Sequence, residues 1–285
     1  MTTTSTFGSN DGHGYELQMG RWSRRLAPSF IAFAGTTGPV RVLDVGCGTG
    51  NLSMCLAQDL EVICVRGLDI SPAYVEYANR RKDDSRLDFQ VGDACVLPFA
   101  DASFDHTVSM LVLQFVPQAD LALHEMRRVT CPGGTVAAAT WDTRGGFIAL
   151  RMIYDAAAML DANGQRARAA AYTRPLSRPG ELARAWNDAG LTHVVQDALT
   201  IRMEFASFAD FWAPVEGKDG PVAEYVGTLS ADTKGRLRDT VRLAYLDGEA
   251  DGERSYAATA WVVKGRVPLK RGVCDHVTRT VGRPT

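Results

Sequence analysis

The sequence predicts a doubly wound α/β domain, with a mostly parallel seven-stranded sheet and helical insertions that form a cap. Two observations predict this fold class. Short apolar runs alternate with amphipathic helical patterns over the first half of the chain, which is typical of β-α-β units with right-handed crossovers. After Asp142 the alternation breaks, and longer helical patterns at about 147–178 and 206–250 are the expected cap.

Most of the predicted strands are short, and four of the six residues of the first are apolar. Residues 40–45 form an apolar run that ends in glycines, as expected of a strand buried on both faces of a parallel sheet. The last strand instead shows alternation. The seven predicted strands are residues 40–45, 62–68, 87–91, 104–110, 135–141, 192–205 and 257–263.

Helical patterns fill the segments between the strands. Ser71 followed by Pro72 is a helix start, because the hydroxyl suits the N-cap and proline suits the first helical position. The predicted helices outside the cap are residues 15–35, 51–60, 72–81, 119–129 and 179–190.

Composition limits the partners that this chain can have. Lys and Arg total 31 against 33 Asp and Glu, so the sequence carries no basic footprint for nucleic acid or for an anionic membrane surface. No apolar run has the length of a membrane span, and six cysteines without a Cys-x-x-Cys pair predict a reduced, cytoplasmic protein without a metal site. We expect a disordered lead-in at 1–14, a domain at 15–266, a flexible tail at 267–285, and a monomer or homodimer.

A glycine-rich loop follows the first predicted strand. Residues 42–50 read V-L-D-V-G-C-G-T-G, so that Gly46, Gly48 and Gly50 alternate just before a helix. Glycine lets the backbone turn sharply and approach a ligand, and a helix N-terminus offers unpaired N–H groups. A tight turn without a ligand has the same pattern, so the loop alone does not assign a site.

Two carboxylates give the loop a possible ligand. Asp69 ends the second strand, where a carboxylate can accept both hydroxyls of a ribose, and Asp93 follows the third strand, where it can accept from an exocyclic amine. Each of them alone is equally consistent with a solvated aspartate. Because the carboxyl ends of neighbouring parallel strands share one crevice, the joint placement predicts a nucleoside-binding slot.

Four blocks of sequence resemble the class I S-adenosylmethionine (SAM)-dependent methyltransferases of the type 11 kind, akin to ubiquinone and menaquinone C-methyltransferases. The blocks are V-L-D-V-G-C-G-T-G (42–50), L-D-I-S (68–71), G-D-A and L-P-F-A-D-A-S-F-D (92–105), and R-V-T-C-P-G-G (128–134). Shorter matches extend the resemblance over roughly residues 15–266.

The resemblance implies a Rossmann-like domain that binds SAM and transfers its methyl group to a small-molecule acceptor, which leaves S-adenosylhomocysteine. It implies that the glycine loop holds the methionine and ribose, that Asp69 binds the ribose diol, and that Asp93 takes the adenine amine. The full set of implied cofactor residues is Gly46, Cys47, Gly48, Gly50, Asp69, Ile70, Asp93, Ala94, Met110, Leu111, Tyr15 and Arg21.

The acceptor side is less defined. Gln114 stands where many relatives have histidine, and glutamine cannot act as a base at neutral pH. Trp141 ends the fifth strand and is expected to face the acceptor, although core packing is an equal alternative. Trp212 belongs to an aromatic cluster that either lines an apolar pocket or forms an ordinary packed face. No convincing general base is found, and catalytic residues stay unassigned.

Two other functions share parts of this pattern. A nicotinamide-dependent dehydrogenase also has a strand, glycines and an acid about twenty residues on, but its spacing is Gly-x-Gly-x-x-Gly and Asp93 would lack a role. A regulatory protein that binds SAM without turnover would have the same cofactor residues, because a fold does not fix function.

Overall fold

A seven-stranded sheet lies at the centre of the described part of the chain, residues 5–7, 11–36, 38–217 and 219–269 of a computed structural model. The strands are β1 (Arg41–Val45), β2 (Cys64–Asp69), β3 (Leu87–Val91), β4 (Phe104–Met110), β5 (Thr130–Trp141), β6 (Thr192–Phe205) and β7 (Arg254–Arg266). Their order in the sheet is β3-β2-β1-β4-β5-β7-β6. Strands β1 to β5 pair in parallel, whereas β7 is antiparallel to both β5 and β6. The predicted mostly parallel, seven-stranded sheet is therefore confirmed.

The chain reverses its direction of travel across the sheet between β1 and β4. From β1 it moves outward through β2 to β3, and then returns to add β4 on the other side of β1. Asp44 in β1 is opposite Gly67 of β2 on one side and Val108 of β4 on the other. Such a switch point opens a crevice at the carboxyl ends of the strands.

Eleven α-helices surround the sheet in the described residues. They are α1 (Gly12–Tyr15), α2 (Arg21–Ala34), α3 (Asn51–Leu56), α4 (Pro72–Arg81), α5 (Ala119–Val129), α6 (Ile148–Leu160), α7 (Ala162–Tyr172), α8 (Glu181–Asp188), α9 (Phe208–Trp212), α10 (Gly220–Gly227) and α11 (Ala231–Leu246). A π-helical turn, Glu16–Gly20, joins α1 to α2. Helix α4 begins as predicted, because the Ser71 hydroxyl accepts a hydrogen bond from the backbone N–H of Tyr74 at 3.3 Å.

The sheet is covered on both faces by apolar packing. Adjacent residues of β1 enter different clusters: Val42 packs with α2, α3 and α4, and Leu43 packs with α5 and α8. Helices α6, α7 and α9 to α11 continue the first of these clusters beyond the sheet and form the cap.

The two ends of the described chain contact the domain. Residues 12–14 differ from the expected disordered lead-in: they lie in α1, which Asp11 caps by accepting the N–H of His13 at 3.1 Å. Val267 exchanges backbone hydrogen bonds with Gly133 and Gly134. The rest of the predicted tail, residues 270–285, lies outside the described residues. Within the described ranges, no helix combines the length and apolarity needed to cross a bilayer.

Candidate active site

A cleft lies at the carboxyl ends of β1 to β4, at the switch point of the sheet. It brings the glycine loop after β1, the acid at the end of β2 and the segment after β3 into one cavity. The lining residues are Ser5, Phe7, Tyr15, Gly46, Gly48, Leu68, Asp69, Ile70, Tyr74, Gly92, Asp93, Ala94, Leu111, Val112, Phe115 and Val116.

The backbone of the glycine loop has a conformation that residues with a side chain rarely adopt. Gly46 has a φ of 74° and Gly48 a φ of 54°, both in the left-handed region that favours glycine. A Cβ added to Gly46 would come within 2.4 Å of the Val112 side chain, whereas one added to Gly48 would meet only Tyr15, at 3.7 Å. Gly46 is therefore needed for packing, whereas Gly48 is buried and lines the cleft.

Asp69 is buried and fixed by backbone donors. Its Oδ2 accepts the N–H of Gly48 at 2.8 Å, and its Oδ1 accepts the N–H of Ser71 at 2.9 Å. Burial raises the pKa of Asp69, and these two hydrogen bonds oppose the rise. The carboxylate thus links the glycine loop to the start of α4, and each oxygen keeps a further lone pair for a ligand.

The segment after β3 presents a second acid to the same cleft. Asp93 is half-buried, and its Oδ1 accepts the N–H of Cys95 at 2.9 Å in a local turn. Its neighbour Ala94 and the exposed Ile70 after β2 also line the cleft. The structure therefore brings together Gly48, Asp69 and Asp93, as the nucleoside-slot prediction requires.

Glu16 ties the N-terminal helices to the glycine loop, and sequence reasoning missed it. Its carboxylate accepts from Asn51 Nδ2 at 2.8 Å, from Arg81 Nη1 at 3.0 Å, from the Thr49 hydroxyl and from Arg24. Burial opposes the charge, but the hydrogen bonds from Thr49, Arg24 and Asn51 lower the pKa of Glu16. The only sequence signal is a lone acid before a helix, which is common on protein surfaces.

A second, mostly apolar pocket opens beside the cleft under the cap. The two cavities share four lining residues, namely Phe7, Tyr15, Leu111 and Phe115. The pocket has a volume of about 140 Å³. Leu111 lies at the junction with a φ of 68°, an unfavourable left-handed conformation for a leucine. The remaining lining residues are Gln18, Met19, Trp22, Gln114, Trp141, Thr143, Phe147, Ala149, Leu150, Ile153, Tyr154, Ala171, Arg174, Met203, Phe205, Phe211, Pro214, Val215, Pro221 and Val222.

Gln114 and Trp141 both lie in the wall of this pocket. Gln114 Oε1 accepts the backbone N–H of Trp141 at 2.9 Å, so its side chain holds the end of β5. The indole nitrogen of Trp141 is buried and has no hydrogen-bond partner among the described residues. Both residues thus line the apolar pocket, and their role toward an acceptor stays a prediction.

Five expected site residues lie outside both linings, so that their assignment to the site stays a prediction. Cys47 and Met110 are buried in the core, and Gly50 packs against Phe89, because these positions face the helices rather than the cleft. Arg21 turns to the cap and pairs with Asp210 at 3.1 Å. The ring of Trp212 stacks on Phe208, with centroids 5.9 Å apart, while its neighbour Phe211 lines the pocket.

The linings contain few groups that titrate near neutral pH. In the part of the chain that the structure describes, the residues that line the apolar pocket include no histidine and no carboxylate. Burial raises the pKa of Tyr15 and that of Tyr154 to about 12, so both stay protonated at neutral pH. The histidines His106, His124 and His193 are absent from both linings.

Comparisons with known proteins agree with this geometry. A family model described as a methyltransferase domain matches residues 43–138. The demethylmenaquinone methyltransferase of Renibacterium salmoninarum is 38% identical over 184 residues, which cover 60% of this chain and 70% of that protein. The malonyl-(acyl-carrier protein) O-methyltransferase of Erwinia pyrifoliae is 31% identical over 207 residues, which cover 66% of this chain and 78% of that protein.

Solved structures share the fold at lower identity. The phosphoethanolamine N-methyltransferase 2 of Haemonchus contortus, in complex with SAM, matches with a TM-score of 0.57 and 16% identity over 90% of this chain and 57% of that one. The chain spans less than half the length of other curated relatives, among them mycobacterial proteins of which it covers 44%.

Proposed function

The chain belongs to the type 11 family of SAM-dependent methyltransferases, and from that premise we propose that it transfers a methyl group from SAM to a small-molecule acceptor. The acceptor lies in the apolar pocket, and the product left in the cleft is S-adenosylhomocysteine. One observation carries the proposal: the cleft at the switch point and the apolar pocket share a wall made by Phe7, Tyr15, Leu111 and Phe115. Reaction requires that the two substrates meet in this way.

The cleft residues fit the cofactor by their chemistry. Asp69 accepts the ribose hydroxyls with its remaining lone pairs, and Asp93 accepts the adenine amine. Ile70 would pack on the base, and the backbone of Gly48 would hold the methionine. Leu111, at the junction of the two cavities, would lie on the sulfonium side of the cofactor.

The chain contributes alignment and exclusion of water. The cofactor supplies an activated methyl group when it is bound, and an in-line displacement needs the acceptor atom, the methyl carbon and the sulfur to be collinear. The aromatic wall and the cap keep the junction apolar. Because the described lining holds no base at neutral pH, the acceptor atom binds deprotonated or loses its proton to solvent.

Replacing Asp69 by asparagine tests the cofactor assignment. Isothermal titration calorimetry should show that S-adenosylhomocysteine binds to the wild type, and that Asp69→Asn lowers its affinity at least tenfold. The amide keeps the shape of the side chain but loses the charge and one acceptor oxygen. The matched control is Asp88→Asn, because Asp88 is an exposed strand residue outside the cleft.

Three outcomes separate the candidate functions. Binding of NADH without binding of S-adenosylhomocysteine would favour the dehydrogenase and overturn the proposal. Binding of S-adenosylhomocysteine without turnover of radiolabelled SAM across a broad acceptor panel would favour a regulatory role. Equal loss of affinity in Asp88→Asn would remove Asp69 from the site.

A further inference from the structure

The apolar pocket has one cation in its wall. Arg174 lies in the connection between α7 and α8 and lines both the apolar pocket and an outer groove, whose polar members include Asn163, Glu224 and Thr228. Among the described residues that line the apolar pocket, it is the only charged one. Arg174 thus stands where the apolar interior meets the outside of the cap.

Arg174 is half-buried and has no acidic partner in contact, unlike the half-buried Arg151 and Arg168 of the cap. Arg151 and Arg168 both pair with Asp155, at 3.4 Å and 2.5 Å. No described carboxylate lies within 4.0 Å of the Arg174 guanidinium, which instead lies over the ring of Phe115, 4.6 Å from its centroid. Burial lowers the pKa of Arg174, although Tyr154 and Glu224 nearby oppose that effect. A half-buried cation without a counter-ion is costly, and a bound anion would offset the cost.

The position of Arg174 connects it to the reaction site. Phe115, on which the guanidinium stacks, also lines the cofactor cleft and packs edge-on against Phe7 with centroids 5.0 Å apart. An anion held by Arg174 would therefore lie one aromatic ring away from the junction of the two cavities. The interior itself offers a volume of about 140 Å³, close to that of an engineered apolar cavity that takes a benzene ring.

The charges around Arg174 select the kind of anion. A single guanidinium, with the exposed Glu224 nearby, balances one negative charge and disfavours a dianion such as a phosphate monoester. A planar fork of N–H donors matches the two oxygens of a carboxylate. The buried, unpartnered indole N–H of Trp141 supplies a further donor in the same pocket.

We infer that the methyl acceptor is a carboxylic acid with a ring-sized apolar body, which fills the apolar pocket while Arg174 binds its carboxylate. The inference rests on the proposed function for its statement that this molecule is the acceptor. It assigns Arg174 as a substrate-binding residue that sets specificity.

A matched pair of probes tests the inference on the whole protein saturated with S-adenosylhomocysteine. Calorimetry at pH 7.5 compares 4-phenylbutanoate with 4-phenylbutanamide, which differ in charge but hardly in shape. We expect the wild type to bind the acid at least tenfold more tightly than the amide, because a charge-assisted hydrogen bond is stronger than a neutral one. Arg174→Gln should abolish this preference. It should lower the affinity for the acid at least tenfold and leave the affinity for the amide within twofold of the wild-type value.

Control variants keep the test falsifiable. Arg178 lies four residues away, outside the pocket, with Glu181 at 3.9 Å, so Arg178→Gln should retain the wild-type preference. Arg174→Lys retains the positive charge and should therefore retain part of the preference for the acid. Equal binding of both probes, binding of neither, or an acid preference that survives in Arg174→Gln would overturn the inference.

The two proposals fail in different ways. Binding of S-adenosylhomocysteine is measured first, without a probe. If that binding is absent while the acid still binds through Arg174, the methyltransferase proposal fails and the carboxylate site stands. If it is present while the acid is not preferred, the carboxylate inference alone is overturned.

Discussion

Two neighbouring buried aspartates, Asp44 and Asp69, differ in their surroundings. Asp69 lines the cleft, whereas Asp44 contacts only the interior of the fold. The Asp44 carboxylate accepts the hydroxyl of Ser53 at 2.7 Å and does not line the cleft. Burial raises the pKa of Asp44 to about 7, and the charge of Asp69 adds to the rise. Asp69 instead receives two backbone N–H groups, which support its charge at the cleft surface.

Asp44 should therefore make the stability of the protein depend on pH. Its pKa in the folded state is about 7, above the ordinary value of 3.8, so the folded state binds more protons between these values. The free energy of unfolding should fall as the pH rises through that window, by at most about 4 kcal/mol, and stay level above it. Asp44→Asn should remove this fall, as measured by urea denaturation at pH 5, 6, 7 and 8.

The exposed Asp88 again offers the control, since Asp88→Asn should keep the wild-type pH dependence. If Asp44→Asn loses stability with rising pH as steeply as the wild type, the buried carboxyl of Asp44 is not its source.

At the scale of elements, the backbone of the turn between β1 and α3 is constrained by several requirements at once. It must leave β1, line the cleft and begin a helix within five residues, 46–50. Gly46 provides the left-handed conformation and also touches Val112, which follows β4. The loop after β1 and the loop after β4 thus fix each other, and both face the ligand.

Two alanine substitutions separate backbone strain from this close contact. Gly35 and Gly46 have nearly the same φ, 73° and 74°, but a Cβ on Gly35 meets nothing within 4 Å. Gly35→Ala should cost about 1 kcal/mol, which is the ordinary penalty of the left-handed region. Gly46→Ala should cost at least twice as much, because Val112 must move. Chemical denaturation measures both, and equal costs would exclude a role for the contact.

At the scale of the whole molecule, the cap and the N-terminal segment contact each other beside the site. Asp219, in the cap, accepts hydrogen bonds from the Tyr74 hydroxyl of α4 at 3.2 Å and from the N–H of Asp11 at 3.3 Å. The segment before α1 is held by a backbone bond from Thr6 N–H to the carbonyl of Phe115 at 2.9 Å. Segments far apart in sequence therefore enclose both cavities.

Phe7 is the residue by which this closure should affect binding. Its ring lines both cavities and packs against Phe115 and Tyr15. Phe7→Ala should weaken the binding of S-adenosylhomocysteine roughly tenfold, since the removed ring would cover apolar ligand surface. The melting temperature without ligand should change little, because Phe7 lies outside the main core.

Thr6→Ala is the matched control for this segment. It deletes a hydroxyl but keeps the backbone bond to Phe115, so ligand affinity should stay within twofold of the wild type. If both variants bind as the wild type does, the segment before α1 does not cover the site.

Much of the fold and the centre of the site could be predicted from the sequence. Strands β3, β4 and β6 and helices α4 and α5 have the predicted bounds, because apolar periodicity and the cap at Ser71 are local signals. Gly46, Gly48, Asp69 and Asp93 line one cleft because adjacent parallel strands end at the same edge of the sheet. The order of these residues along the chain was therefore enough to predict that they converge.

Only the tertiary structure decided which side chains face the cavities. Met110 and Leu111 are adjacent in sequence, yet Met110 packs into the core and Leu111, with its left-handed backbone, lines both cavities. Likewise Arg21 pairs with Asp210, while Arg174, which no sequence pattern distinguished, lies in the pocket wall without an acidic partner in contact. Short-range patterns determine where helices and strands begin and end. The direction in which the side chain of a loop residue points depends instead on distant segments, which contact it only in the folded chain.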